Sequence, residues 1–231
     1  MTARICVSIL PKTVPEALRL IKKAEVAHAD FIEVRLDCLE DCLENHRGLA
    51  DLAAHGKAPK IATNMPRSCQ GNFSGTEAER QQTLRDAAKS GFEYVDVELS
   101  TPQLKDLVKE LKALGAKPIV SFHKFNGSLG IAELNRVLEK EIASGAEVCK
   151  IVTTAKRIED NLTTLNFVAT ASSKTKLVCF CMGEHGKISR LLSPLFGGFF
   201  TFAALEHGSE TAVGQMTIQE MKAAYKLLGQ R

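Results

Sequence analysis

Lys150 stands in the middle of an apolar hexapeptide, Glu147-Val148-Cys149-Lys150-Ile151-Val152. As a short buried strand, this segment would aim an amine into a largely dry interior. Burial disfavours the ammonium, so the expected escape is a depressed pKa and a neutral amine. A neutral, desolvated lysine attacks carbonyl carbons and forms Schiff bases. A lysine at a strand end that snorkels to water would do none of this. His123 ends another apolar run, Lys117 to Phe122. If the two runs are neighbouring strands, imidazole and amine converge, placing a general acid–base beside a nucleophile. A histidine held only for structure is the plainer alternative.

Other polar residues follow the ends of apolar runs. Glu33 and Arg35 lie two apart in Phe31 to Arg35, so they share one strand face while Ile32, Val34 and Leu36 take the other. Buried together, they either pair with each other or meet a polar ligand. Gly183 and Gly186 lead into a short helix with Ser189 and Arg190, where helix amides and a guanidinium fork would suit a carboxylate or phosphate. A plain glycine turn fits the same spacing. Asn64, Arg67 and Gln70 follow the third run, Asp96 and Glu98 close the fourth, and Thr211 and Gln215 follow the eighth. Gly197-Gly198 beside Phe199 reads as tight packing rather than a phosphate loop.

The elements that must position these residues alternate strictly. Strands are expected at 5–9, 31–35, 60–63, 94–98, 117–122, 148–152, 176–181 and 198–202. Helices are expected near 14–27, 45–55, 76–89, 101–114, 132–143, 157–170, 188–195 and 217–228. Thr76 with Glu79 forms a capping box, and Pro102 sits in a first helical turn. Eight strand–helix units imply parallel strands, and near-continuous apolar runs imply burial on both faces. The expected fold is an α/β, (β/α)8 TIM barrel spanning 1–231 as one catalytic domain, with a doubly wound open sheet as the alternative. The carboxyl ends of the strands, where the polar residues gather, are where such barrels work.

Composition narrows the function. The chain of 231 residues is 45% hydrophobic and 25% charged, with a net charge of +3. That charge gives no reason to expect nucleic acid or an anionic membrane as partner, and it would not repel an anionic substrate. No apolar run is long enough for a membrane span, and no basic-then-apolar leader is expected. Seven cysteines (Cys6, Cys38, Cys42, Cys69, Cys149, Cys179 and Cys181) form no Cys-x-x-Cys, which suits a reducing, cytoplasmic setting. No His/Cys cluster has zinc spacing, so no metal is expected.

Taken together, Ile32-Glu-Val-Arg-Leu-Asp37, Tyr94-Val-Asp-Val-Glu-Leu99, Val120-Ser-Phe-His123, Lys150-Ile-Val-Thr153, Met182-Gly with Gly186 and Ser189-Arg190, and Gly214-Gln215 resemble the type I 3-dehydroquinate dehydratases. The resemblance runs from about Ile5 to Leu228. It implies a cofactor-free, metal-free barrel that converts 3-dehydroquinate, a cyclic hydroxy acid ketone, to 3-dehydroshikimate in the shikimate pathway. It implies Lys150 as the imine-forming residue and His123 as the acid–base. Glu33, Arg35, Arg190, Thr211 and Gln215 would hold substrate. Such enzymes are often dimeric, so a homodimer is compatible with it.

One segment departs from the pattern. After the third strand the family usually has a substrate-binding arginine, then a glutamate that orients the histidine. An ungapped alignment puts Met65 and Cys69 there, whereas a small shift would offer Arg67 and Gln70. Unless another acid serves, a lower or pH-shifted rate is expected. The stretch from Met182 to Phe202 also resembles plant-type fusions with shikimate dehydrogenase, so the chain is read either as monofunctional or as one half of such a protein. A Schiff-base aldolase on the same barrel and a degenerate, non-catalytic ligand-binding barrel are the alternative readings.

Overall fold

The computed structural model describes residues 3–40 and 46–230, so Asn45 and Cys42 lie outside the described residues. Among the described residues, eight strands alternate with eight α-helices: β1 Ile5–Ile9, α1 Val14–Val26, β2 Phe31–Arg35, α2 His46–Ala54, β3 Lys60–Thr63, α3 Glu77–Lys89, β4 Tyr94–Glu98 and α4 Leu104–Ala113. They continue as β5 Lys117–His123, α5 Ile131–Ala143, β6 Val148–Thr154, α6 Asp160–Ala171, β7 Lys176–Met182, α7 Lys187–Leu192, β8 Thr201–Ala203 and α8 Ile218–Leu227. All ladders are parallel, in the order β7-β6-β5-β4-β3-β2-β1-β8. This is a (β/α)8 barrel. At the seam, β7 and β8 lie side by side without a ladder, and Phe199 N–H donates to Leu177 O at 2.7 Å.

Strand alternation sorts the core. Ile32, Val34, Ala62, Val95 and Val97 face outward and pack against α1 to α4. Phe31, Ile61, Tyr94, Ile119, Val148, Val178 and Phe200 fill the lumen. The lower lumen is thus apolar and aromatic. Polar lumen positions begin one pleat further along β1 to β6, at Ser8, Glu33, Thr63, Asp96, Ser121 and Lys150, all buried, whereas β7 and β8 continue with Phe180 and Phe202.

Four expected elements differ by three residues at one end: α6 begins at Asp160 rather than 157 and α7 ends at Leu192 rather than 195, and β8 and α4 both start late. The eighth strand begins at Thr201 rather than Gly198, because Gly198 N–H is bonded back to Ser193 O at 2.9 Å. The fourth helix starts at Leu104. Gln103, at φ 55°, is left-handed at the cap, which leaves Pro102 outside the first turn. The capping box of Thr76 with Glu79 is present, and Thr217 with Glu220 forms a second one that fixes the start of α8.

Candidate active site

Lys150 is 4% exposed at the centre of β6. Its amine donates to Asp96 Oδ2 at 2.8 Å and lies 3.6 Å from Glu33 Oε1. Ser121, paired with Lys150 in the β5–β6 register, donates to the other Asp96 oxygen at 2.6 Å. Glu33 is held in turn by the hydroxyls of Ser8 and of Thr63, the latter at 2.9 Å. The expected neutral amine is therefore corrected. Burial alone would lower the pKa, but Asp96, Glu33 and the Asp96 hydrogen bond outweigh it and hold the ammonium above the ordinary lysine range. The phenyl ring of Phe202 lies 4.6 Å from the amine and forms an apolar wall of the site.

His123 ends β5, one pleat beyond Ser121. Its Nδ1 lies 2.9 Å from Glu98 Oε1, an ion-pair distance, though the two are out of hydrogen-bond alignment. Phe125 stacks parallel to the imidazole at 5.9 Å. Burial would raise the Glu98 carboxyl, but His123, and then Lys150, pull it below the usual carboxylate range. The acid beside the histidine thus comes from β4, not from the segment after β3.

Arg190 is 2% exposed on α7. Nη1 reaches Phe202 O at 3.4 Å, while Nε and Nη2 find no partner among the described residues. The guanidinium stacks 4.4 Å from the Phe180 ring, and burial pulls its pKa down to about 10. An unpartnered buried guanidinium is costly and suits an incoming anion. The expected helix amides do not assist it: α7 has six residues, and Ser189 N–H is spent on Asn161 Oδ1 at 2.9 Å. Ser189 instead clamps the turn, its hydroxyl accepting from Cys181 N–H at 2.9 Å. Gly186 is needed there because a Cβ would sit 2.5 Å from Cys181 O.

These groups line one cavity of about 370 Å³ at the carboxyl ends of the strands. Glu33, Arg35, His123, Lys150, Arg190, Thr211 and Gln215 all face it. Arg35 pairs with Asp37, not Glu33, through two bonds of 2.7 and 2.6 Å. Asp37 also accepts from Asn72 N–H at 2.9 Å, tying the 65–75 segment to β2. Gln215 Oε1 accepts from the Thr211 amide at 2.7 Å and its hydroxyl at 3.2 Å. Arg67 is exposed and outside the lining, whereas Met65, Cys69 and Gln70 contribute to it. Asp96, Glu98, Ser8, Thr63 and Ser121 carried no assigned role in the sequence. The two-residue alternation that placed Glu33 with Arg35 marks each of them too. Gly197-Gly198 is tightly packed, as its sequence reads: a Cβ at Gly197 would meet Ser172 Oγ at 2.4 Å, and one at Gly198 would meet Ser193 Oγ at 2.5 Å.

A buried amine, an acid–base pair and an unpartnered arginine around one cavity equip a barrel for imine chemistry on a small carbonyl acid. The sequence model of the type I 3-dehydroquinase family matches residues 5–231. A 3-dehydroquinate dehydratase of Dehalococcoides mccartyi is 39% identical over 206 residues, covering 89% of this chain and 88% of that protein. One from Coxiella burnetii is 35% identical over 225 residues, covering 97% and 93%. The crystal structure of the 3-dehydroquinate dehydratase from Geobacillus kaustophilus superposes with a TM-score of 0.90 at 24% identity, covering 98% and 91%. That from Aquifex aeolicus superposes at 0.80 with 26% identity, covering 97% and 98%. The chain belongs to the type I 3-dehydroquinase family.

Proposed function

We propose that this enzyme dehydrates 3-dehydroquinate to 3-dehydroshikimate, the shikimate-pathway step, through an imine on Lys150. The observation that carries the mechanism is the placement of Lys150, between Asp96 and Glu33, in the same cavity as His123 and the unpartnered Arg190. Arg190 takes the substrate carboxylate, and Glu33, Arg35, Thr211 and Gln215 take hydroxyls. Arg67 stands outside this set.

Lys150 rests as an ammonium, so it first gives a proton to Asp96, to which it already donates. The free amine adds to the C3 ketone, Asp96 returns its proton to the carbinolamine oxygen, and that oxygen leaves as water to give a protonated imine. This cation withdraws electrons from C2, and His123 takes the C2 proton. The enamine electrons then expel the C1 hydroxyl, which leaves as water with the proton His123 returns. Water hydrolyses the product imine and frees Lys150. Each step is assigned to a side chain of one chain, so a homodimer would not alter the chemistry. We take 1–231 as one catalytic domain. A cytoplasmic setting is supported by the six described cysteines, all free. No helix among the described residues is long and apolar enough to cross a membrane.

The aldolase reading loses its main support, since Gly197-Gly198 precede β8 and line a separate cavity at the amino ends of the strands, away from Lys150. The test is borohydride reduction in the presence of 3-dehydroquinate, with peptide mass spectrometry and the ultraviolet absorbance of the conjugated product. A substrate adduct on Lys150 together with product is expected. Folded protein giving neither would sink the proposal, and an adduct without product would favour the degenerate barrel.

A further inference from the structure

We propose that Glu98 is the positioning residue for His123, which makes proton transfer independent of the segment after β3. The inference rests on the reading of His123 as the acid–base.

Three observations converge. Nδ1 of His123 and Oε1 of Glu98, 2.9 Å apart, have no other partner among the described residues. The other nearby carboxylate, Asp96, is taken by Lys150 and Ser121. The 65–75 segment contributes Met65, Cys69 and Gln70 to the cavity but no carboxylate. Glu98 and His123 sit on laddered strands, with Glu98 level with Ser121, and Leu99 N–H donates to Ser121 O at 2.7 Å. The pair is therefore set by the barrel itself. A carboxylate at Nδ1 keeps the proton on that nitrogen and leaves Nε2 to face the substrate. It also stabilises the imidazolium formed when C2 loses its proton. Lys150 has nearer carboxylates in Asp96 and Glu33, with Glu98 only a weaker, more distant charge on it, so the amine keeps its partners when Glu98 is neutralised.

This makes the test specific. Glu98→Gln keeps the shape and removes the charge. The expected result is a kcat lower by roughly 100-fold, with KM within about threefold and borohydride trapping on Lys150 retained. A kcat near wild type would overturn the proposal while leaving the dehydratase reading intact. Loss of trapping together with turnover would also overturn it, because Glu98 would then serve the whole site. If the wild type itself neither traps nor turns over, the underlying reading fails, and this inference with it. A second measurement needs no variant of Glu98. The ¹⁵N ring signals of His123, assigned with His123→Gln, should show a protonated Nδ1 in the resting enzyme. A bare Nδ1 with the proton on Nε2 would overturn the assignment even if Glu98→Gln failed to fold.

Discussion

Glu141, on α5, is fully buried behind the lysine strand, and neither carboxylate oxygen has a hydrogen-bond partner among the described residues. Burial, with like-charge repulsion from Asp96 and Glu98, pushes its carboxyl well above the ordinary value of 4.5. Its linkage sign is opposite to that of a paired acid. With the folded value raised, the native state binds more protons than the unfolded one above about pH 4.5, so its contribution to stability is lost as pH rises. Glu141→Gln removes that loss. Its melting temperature should gain on wild type progressively from pH 5 to pH 8, and parallel melting curves across that range would refute the argument. Glu98 is the counter-case. With its value lowered by His123, its contribution is present above pH 4.5 and lost as pH falls through the folded value.

At the scale of elements, the connection from β8 to α8 brings Thr211 and Gln215 to the cavity by leaning on the turn after β7. Gly183 N–H donates to Val213 O at 3.0 Å, and a Cβ on Gly214 would lie 2.2 Å from Gly183 O. Gly214 also has φ +79°, where a side chain is strained. Gly214→Ala should therefore push this connection off the β7 turn. KM should rise about tenfold, and stability should fall by about 1–3 kcal/mol. Steady-state kinetics and a denaturant titration would check both, and an unchanged KM would mean that the connection does not hold ligand. The sequence made these elements legible because buried parallel strands and capped helices leave local signals. For the same reason it marked Lys150 within a strand, His123 at a strand end and Arg190 in the short helix after the seventh strand. It could not show that Lys150 is charged, which depends on β4 bringing Asp96 within 3 Å, or that Arg35 pairs with Asp37, which depends on how the chain turns directly after β2. Nor could it decide the alignment of the segment after β3. There the tight turn, with Phe73 N–H bonded to Met65 O at 3.1 Å, brings Met65 and Cys69 to the cavity and leaves Arg67 outside.

For the whole molecule, the barrel divides its labour around the lumen. Lys150 and His123 stand on β6 and β5, which are laddered to neighbours on both sides. Arg190, Thr211 and Gln215 come from the connections flanking β7 and β8, where the ladder is interrupted. Strand edges without a ladder open at lower free energy than strands held on both sides. Amide hydrogen exchange should follow this division. Amides of β8 and of the β8–α8 connection should exchange earliest among the barrel elements, and those of β5 and β6 last. Uniform protection around the barrel would contradict this. The unladdered seam thus gives the enzyme a soft side and a hard side. Substrate can be admitted and product released by local breathing at the seam, while the bond-making atoms across the lumen keep their spacing from one turnover to the next.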